Sequence, residues 1–401
     1  MRNILLESLD RVPVEEQQVE LVERKGVGHP DSICDAIMEE ISVALCREYM
    51  KTFGRVLHHN IDKSLLVAGR TSPRIGGGTV DEPMRLVFGD RAVYEYQGKK
   101  IPVEEIAAET AKKWLRENLR FVDPEEHLIF QNEIKPGSPE LTDIFEREVI
   151  GANDTSAAVG YAPMTEMEKT VLATEKRLNS PEFKKEFPVA GEDIKVMGYR
   201  FDRRLVLTVA VAFVDRFVES EKGYFAQKRE IEAAVRDFVK SRDLRFKDVQ
   251  VDVNTLDQPG RGEAGMYLTV LGTSAEGADG GQVGRGNKVN GVIALNRPMS
   301  TEAAAGKNPI SHVGKIYNLL THRMADEVYK EVPGIREVYI WLCSQIGQPI
   351  DQPLIASAQL VLRPNLPLSS VSDEVKAVIE RGLANIYDFT QRLAQGEFPV
   401  W

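Results

Sequence analysis

Gly272-Thr-Ser-Ala-Glu-Gly-Ala-Asp-Gly-Gly-Gln-Val-Gly-Arg-Gly-Asn-Lys-Val-Asn-Gly291 is the stretch around which the rest of the chain is organised. Seven of its twenty residues are glycine. Glycine costs backbone entropy, so this density indicates positive φ angles or a backbone that lies close to a ligand. The run also carries a carboxylate, Asp279, and two cations, Arg285 and Lys288. We therefore favour a cradle for polyphosphate or nucleotide over a structural loop or a flexible linker.

Helices and strands alternate on both sides of this glycine-rich stretch. Apolar residues at helical spacing, such as Ile33, Ile37 and Ile41, predict a helix from Pro30 to about Tyr49. Further helices are predicted at Ile101–Arg120, Thr165–Leu178, Tyr224–Lys240, Pro309–Tyr329 and Asp373–Arg392. Strands are predicted at Gln18–Glu23, Arg55–Asn60, Ser64–Ala68, Met84–Tyr96, His127–Gln131, Asp193–Gly198, Leu205–Val214, Val249–Asn254, Met266–Gly272, Val289–Leu295, Val338–Cys343 and Ser357–Leu362.

A helix followed by two strands recurs roughly three times in this order of elements. The rhythm predicts an α+β protein of similar layered domains with mixed or antiparallel sheets, and not a doubly wound fold. With 401 residues, the chain is too long for one ordinary core. We expect three interleaved domains, at approximately residues 1–135, 136–260 and 261–401.

Composition limits the classes of partner. The net charge of −10 argues against nucleic acid or an anionic membrane as the main partner. No window is long and apolar enough for a transmembrane span, and the first residues do not form a signal peptide. Three cysteines without a paired spacing fit a reducing, cytoplasmic compartment.

The common nucleotide and metal signatures are missing. No GxxxxGK[ST] motif occurs, and Gly284-Arg-Gly286 is not completed to GxGxxG. With six histidines and no HExxH or Cys/His cluster, zinc is not expected. The chain is therefore neither a P-loop enzyme nor a simple Rossmann domain.

Cations and carboxylates on separated loops remain as candidates for chemistry. His29 and Asp31 flank Pro30 at a helix start, where they could also be no more than a cap and a surface histidine. Asp193 and Lys195 share one face of a strand, which a surface ion pair would explain equally well. Three further residues that carry or can carry a positive charge lie around another helix start: Lys307, His312 and Lys315. Together with Arg285 and Lys288 they would form a cationic pocket.

Five motifs, in order along the chain, resemble those of the S-adenosylmethionine synthetase (methionine adenosyltransferase) family, specifically its archaeal-type branch. They are Gly28-His-Pro-Asp-Ser-Ile-Cys-Asp35, Gly151-Ala-Asn-Asp-Thr-Ser-Ala-Ala-Val-Gly-Tyr-Ala162, Asp193-Ile-Lys195, Asp279-Gly-Gly-Gln-Val-Gly-Arg285 and Gly306-Lys-Asn-Pro309. The resemblance implies three layered α/β domains related by pseudo-threefold symmetry. It also implies a homodimer whose two chains together complete each active site.

The resemblance implies a role for each matching residue. Asp31 would hold Mg²⁺, with His29 near the phosphates; a monovalent cation such as K⁺ is a possible second cofactor. Lys195, Arg285, Lys288 and Lys307 would clamp the triphosphate. Asp154 and Asp279 would face the methionine amine and the ribose or adenine side. Positions expected to touch ATP or methionine also include Arg70, Gly137, Ser138, Gly280, Gly281, Gly284, His312 and Lys315.

The chain departs from the family pattern at three places, and one of them is Arg70, which stands near where the commoner branch has a glutamate that touches methionine. Gly286 and Asn287 stand between Arg285 and Lys288, where the family has arginine followed at once by lysine. After Gly306-Lys-Asn-Pro309, the usual lysine and aspartate have no clean counterpart, so His312 and Lys315 are positional candidates and a second Mg²⁺ ligand is not identified.

The residue inventory suits the reaction that the resemblance implies. The sulfur of L-methionine attacks C5′ of ATP and expels tripolyphosphate, which is then cleaved to diphosphate and phosphate. A thioether has no proton to remove, so alignment and charge neutralisation supply the catalysis. The alternatives are an ATP-dependent kinase or ligase with an unusual phosphate loop, and a non-catalytic nucleotide-sensing protein. The products formed from ATP, Mg²⁺ and methionine distinguish the three.

Overall fold

The computed structural model describes residues 2–137, 145, 150–242 and 244–401. Its helices within these residues are α1 (Pro30–Phe53), α2 (Val103–Asn118), α3 (Glu166–Leu178), α4 (Pro181–Glu186), α5 (Glu221–Lys240), α6 (Val313–Glu331), α7 (Ser372–Ala384) and α8 (Ile386–Ala394). Its strands are β1 (Ile4–Ser8), β2 (Val19–Lys25), β3 (His59–Asn60), β4 (Leu65–Val67), β5 (Arg70–Ser72), β6 (Thr79–Glu82), β7 (Met84–Ala92), β8 (Glu95–Tyr96), β9 (Lys99–Lys100), β10 (Leu128–Pro136), β11 (Ala157–Ala162), β12 (Ala190–Phe201), β13 (Arg204–Val214), β14 (Asp248–Val253), β15 (Leu268–Thr269), β16 (Gly281–Gln282), β17 (Ile293–Ala294), β18 (Ile335–Cys343) and β19 (Ile355–Leu362).

Most strands belong to three mixed sheets. The first sheet has the order β10-β7-β4-β16, with β3 added to β7; the second has the order β14-β13-β12-β2-β17, with β15 added to β13; the third has the order β1-β19-β18-β11. Each sheet combines a parallel pair with antiparallel neighbours: β10 with β7, β13 with β14 and β1 with β19 are parallel. The predicted α+β class with mixed sheets is therefore confirmed.

Helices pack on each of the three sheets and cover the buried side chains of its strands. α1 and α2 pack on the first sheet, α3 and α5 on the second, and α6 with α7 on the third. One continuous apolar core joins the first and third sheets, and a second core lies between the second sheet and its helices. A threefold relation between the three units stays a prediction.

Strands that are close in sequence belong to different sheets. β1 pairs in the third sheet, β2 in the second and β11 in the third, while β16 and β17 place parts of the glycine-rich stretch and its continuation in the first and second sheets. The glycine-rich stretch is thus held by two sheets at once. The domain boundaries near residues 135 and 260 stay predictions.

Several predicted elements differ in extent, among them the strands predicted at Arg55–Asn60 and Met266–Gly272, which shorten to β3 and β15. The strand expected at Val289–Leu295 is reduced to Ile293–Ala294, because a tight turn precedes it: the N–H of Gly291 donates to the carbonyl of Lys288 (2.7 Å), and Gly291 has a φ of 88°. The helix predicted from Pro309 begins at Val313, after the capping residue His312. The last helix is two helices that meet at Asn385, where the backbone leaves the helical region.

Candidate active site

The glycine-rich stretch lies directly against the start of α1. A Cβ placed on Gly281 would come within 2.2 Å of the backbone carbonyl of Pro30, so only glycine fits there. The Thr273 hydroxyl donates to the carbonyl of Gly28 (2.7 Å), and the Gly28 N–H donates to the carbonyl of Glu192 on β12 (3.0 Å). The start of α1, the end of β2 and β12 therefore meet at the glycine-rich stretch, in one place.

Asp31 and Lys25 form the centre of this meeting point. The Lys25 ammonium lies 2.8 Å from Oδ2 of Asp31 and donates to the backbone carbonyl of Arg285 at 2.6 Å. The other carboxylate oxygen of Asp31 accepts from the N–H of Gln282 (3.0 Å). One lysine thus joins the helix start to the cationic part of the glycine-rich stretch within a single chain.

Two lysines lie directly opposite each other in the second sheet. Lys25 of β2 is the register partner of Lys195 of β12. Glu23 lies within 4.0 Å of Lys25 and 3.7 Å of Lys195. Like charges that face each other across a strand pair are destabilising, and Glu23 is the carboxylate that offsets this repulsion in the structure.

The segment Gly284–Lys288, which we call the cationic loop, carries Arg285 and Lys288. The Arg285 side chain is exposed, and no carboxylate among the described residues pairs with it. Lys288 is half-buried; burial lowers its pKa, and the nearby Asp35 opposes that shift. Burial also raises the pKa of Asp35 to about 7, although it accepts from the N–H of Gly284 at 2.8 Å.

His29 caps α1 and has a polar neighbour in Asp193. Its ring nitrogen Nδ1 accepts from the N–H of Asp31 (3.2 Å), so the histidine is a buried helix cap and not the surface residue of the alternative. Burial lowers the pKa of His29, and the carboxylate of Asp193 offsets part of that shift. Asp193 itself accepts from the N–H and hydroxyl of Ser274, and burial raises its pKa. A neutral His29 can still donate a hydrogen bond to an anion.

A cavity of about 460 Å³ lies beside Lys195. Ala210, the register partner of Lys195 on β13, lines it together with Tyr267 and Ala278. Asp279 follows Ala278, is exposed, and its charge contributes to the raised pKa of Asp193. Gly280, the next residue, is also exposed. The cavity has the size and largely apolar lining of a small-molecule site.

A second cluster forms around Lys307, away from the cationic loop. The Lys307 ammonium pairs with Asp62 and lies 3.3 Å from Glu302. Burial, and then the charge of Lys307, lower the pKa of His312 to about 3. Lys315 is fully buried and pairs with Glu39 at 2.6 Å. These residues do not join Arg285 and Lys288 in one open pocket.

Asp154 belongs to this second cluster. Its carboxylate accepts from the Thr155 N–H (2.7 Å) and from the Ser156 hydroxyl (3.3 Å). The same hydroxyl lies 3.4 Å from Glu302, which contacts Lys307. A narrow crevice lined by Lys288 and Glu302 runs between this cluster and the cationic loop.

The remaining predicted positions lie further from the centre of the site. Arg70 is exposed on β5 and pairs with Glu82 at 2.7 Å, although the neighbouring Gly69 bonds to Ala275 of the glycine-rich stretch. Gly137 packs against the ring of His58. Ser138 lies outside the described residues.

Three residues at the site were not predicted as site residues: Glu23, Lys25 and Asp35. Lys25 is the last residue of β2, two residues beyond the end of the strand predicted at Gln18–Glu23. Asp35 stands one helical turn after Asp31, and this spacing was an available signal.

The residues at the site fit Mg²⁺ that is held by a single protein carboxylate. No group of three or more His, Cys, Asp or Glu side chains in the described ranges is arranged to hold a metal ion. Mg²⁺ is commonly bound by one or two carboxylates together with substrate phosphates and water. Asp31, at the edge of a set of cations, fits the role of such a single carboxylate.

The comparisons with known proteins agree over the whole chain. The family model described as S-adenosylmethionine synthetase (AdoMet synthetase) matches residues 2–397. The chain is similar to the S-adenosylmethionine synthase of Pyrococcus furiosus (48% identical) and that of Methanothrix thermoacetophila (48%), and to the probable S-adenosylmethionine synthase of Aquifex aeolicus (45%). In all three comparisons, both chains are covered over 100% of their length.

A solved structure shares the fold. It is that of an unusual S-adenosylmethionine synthetase from Campylobacter jejuni, with a TM-score of 0.65 over 94% of this chain and 90% of that chain. The sequence identity is 15%, so this similarity concerns the fold alone.

Proposed function

The chain belongs to the S-adenosylmethionine synthetase family, in its archaeal-type branch, and from this membership we propose how its residues carry out the reaction. It is an S-adenosylmethionine synthase, that is, a methionine adenosyltransferase, and its substrates are ATP and L-methionine. We propose that the triphosphate of ATP lies against Lys25, Lys195 and the cationic loop. The observation that carries this proposal is the contact of Lys25 with both Asp31 and the backbone of Arg285.

The cationic groups would act on the leaving group. As sulfur attacks C5′, negative charge grows on the tripolyphosphate, and preorganised cations stabilise that charge more strongly than they stabilise bound ATP. Lys195 and Arg285 are the accessible cations in this region. No residue needs to remove a proton in this step. We assign to His29, in its neutral form, a hydrogen bond to a phosphate oxygen.

Asp31 would hold Mg²⁺ together with phosphate oxygens of ATP. When bound, the ion supplies neutralisation of phosphate charge. Lys25, which pairs with Asp31 in this structure, would turn to the phosphates, a short movement for a flexible side chain. The described residues suggest no particular place for a monovalent cation, and the dependence of the rate on K⁺ stays a prediction.

The cavity beside Lys195 is the proposed place for the apolar part of the substrates. Its wall includes Met266 and Tyr267, which offer apolar and aromatic surface to adenine or to the methionine side chain. Asp279 at its rim can accept hydrogen bonds from a ribose hydroxyl or an ammonium group. A larger cavity, of about 560 Å³, contains none of the predicted site residues and is not assigned to substrate.

We expect product formation that depends on methionine and Mg²⁺, with diphosphate and phosphate released in equal amounts with S-adenosylmethionine. Removal of Mg²⁺ with EDTA should abolish turnover, and added Mg²⁺ should restore it, because the phosphate charge is otherwise not neutralised. Quantitative chromatography of the nucleotide and phosphate products measures this. ADP or AMP as the stoichiometric nucleotide product would contradict the proposed reaction.

A homodimer with shared sites is the proposed assembly. On the face of the first sheet that points away from α1, Leu65 is 46% exposed, Val67 42% and Ile129 43%. Arg85 of β7 lies between Val67 and Ile129, so exposed apolar side chains flank a cation on this face. Exposed apolar groups rimmed by polar residues mark interaction surfaces. Gln282 pairs in register with Leu65, so this face continues into the cationic loop. A second copy seated here would therefore lie beside Arg285.

Leu65→Asp combined with Ile129→Asp should convert the dimer into monomers and remove most activity, because two buried charges would oppose the association. Sedimentation velocity measures the change in assembly. Leu354→Asp is the matched control, since Leu354 is 64% exposed but lies beside the third sheet. A double variant that stays dimeric, or a Leu354→Asp variant that dissociates, would place the interface elsewhere.

Regarding membranes, the helices within the described residues include none with the length and hydropathy of a membrane span.

A further inference from the structure

The side chain of Asp35 anchors the backbone of the cationic loop. It is buried on α1, one turn after Asp31, and its Oδ1 accepts from the N–H of Gly284 at 2.8 Å. The backbone of Gly286 lies close to the other oxygen of the same carboxylate. One side chain therefore contacts the loop backbone on both sides of Arg285.

The carboxylate of Asp35 leaves no room for a side chain at position 286. A Cβ at Gly286 would lie 2.1 Å from Oδ2 of Asp35, closer than any side-chain atom can approach. Asp35 also lines the crevice beside Lys288, and a different side-chain position would break its hydrogen bond with Gly284. The glycine at this position is explained by the carboxylate and by nothing else within 3.0 Å.

Asn287 fixes the other end of the loop. Its Oδ1 accepts from the N–H of Lys25 (2.9 Å), and its Nδ2 donates to the carbonyl of Lys25 (2.8 Å). The amide group thereby pairs with the end of β2 as a neighbouring strand would. Gly286 and Asn287 are the two residues that separate Arg285 from Lys288, so both intervening positions make a contact that anchors the loop.

We propose that Asp35 is a positioning residue for the reaction: with Gly286 and Asn287 it sets the direction of Arg285 and Lys288 toward the tripolyphosphate. The inference rests on the proposed role of those two cations. A misplacement of about 1 Å in a catalytic contact can cost about 100-fold in rate, so the energetic effect of a distant anchor can be large. A carboxylate that only supported the fold would affect stability without affecting the leaving group.

Asp35→Asn is the test variant, because it keeps the shape and one acceptor but turns a donor toward Gly286. We expect kcat to fall about 10- to 100-fold, and inhibition by added tripolyphosphate to weaken by a similar factor. The KM for methionine should change by less than about threefold, since methionine does not contact the loop. Thermal unfolding of each variant shows whether it is folded.

Tyr49→Phe is the matched control. Tyr49 is buried on the same helix, and its hydroxyl makes two hydrogen bonds with the backbone of Val93, far along α1 from the loop. Its loss should lower stability and leave kcat and tripolyphosphate inhibition unchanged. If Asp35→Asn behaves like Tyr49→Phe, with lower stability alone, the inference is overturned.

Gly286→Ala tests the same inference independently of the Asp35→Asn variant. Alone, it should reduce kcat as Asp35→Asn does, because the added methyl group displaces the carboxylate. In an Asp35→Ala background it should add little, since the clashing oxygen is gone; equal effects in both backgrounds would overturn the inference.

If Arg285→Ala leaves tripolyphosphate inhibition intact, the proposed function fails instead. If only Arg285→Ala weakens it, that function stands without the anchor.

Discussion

Asp31→Asn is expected to lower turnover by about 100- to 10,000-fold while the protein stays folded. A metal ion supplies several kcal/mol of transition-state stabilisation when it neutralises phosphate charge, and about 1.4 kcal/mol corresponds to a factor of ten. An asparagine keeps an oxygen for the N–H of Gln282, so the contact between α1 and the glycine-rich stretch can persist. The measurement is kcat as a function of the Mg²⁺ concentration.

The control for Asp31→Asn is a buried carboxylate with a purely structural partner. Glu20 lies on β2, as Lys25 does, and pairs with Arg200 at 2.9 Å outside the site. Glu20→Gln should destabilise the protein but leave the Mg²⁺ dependence of kcat unaltered. Near-normal turnover of Asp31→Asn at limiting Mg²⁺ would reassign Asp31 to its ion pair with Lys25.

The start of α1 was predictable because several local signals agree there. Pro30 suits the first turn of a helix, and the carboxylate of Asp31 suits its positive N-terminal end. The structure has the helix at Pro30–Phe53 with His29 as its cap. The closeness of a ligand or backbone to the glycine-rich stretch was also predictable, and Gly281 against Pro30 shows that one close partner is the protein itself.

The missed residues depend on pairing between distant segments. Lys25 matters because β2 is placed beside β12 and the glycine-rich stretch, and no local pattern specifies that neighbourhood. Asn287 looked like an interruption of a family motif, whereas its side chain binds the backbone of β2. Secondary-structure periodicity does not contain such long-range contacts.

Lys307 and Lys315 differ from Arg285 in the partners that the fold gives them. They were expected to add to one cationic pocket because they stand near a helix start. Buried lysines require partners, and here Asp62, Glu302 and Glu39 provide them. Sequence gives the number of cations near a site but not the number that remain available to a ligand.

Arg285→Ala is expected to depress kcat more than it raises the KM for methionine. The guanidinium is exposed in a chain with a net charge of −10, and its contact with the leaving tripolyphosphate strengthens as charge develops. A loss of about 2–4 kcal/mol in transition-state stabilisation is usual for the removal of one such electrostatic donor. Steady-state kinetics measure the change; an increase in KM at unchanged kcat would indicate a contribution to substrate binding only.

Mixed dimers determine how Arg285 and Asp31 are shared between subunits. Lys25 contacts Asp31 and the backbone of Arg285 in the same chain, so both residues are expected to serve one site from one subunit. A dimer of one Arg285→Ala chain and one Asp31→Asn chain then has a lesion in each site, and its activity should not recover. If the two residues instead served a site from opposite subunits, one site would carry both lesions and the other none. Isolation of the mixed dimer through two different affinity tags proves subunit exchange, and recovery toward half of the normal activity would contradict the single-chain arrangement.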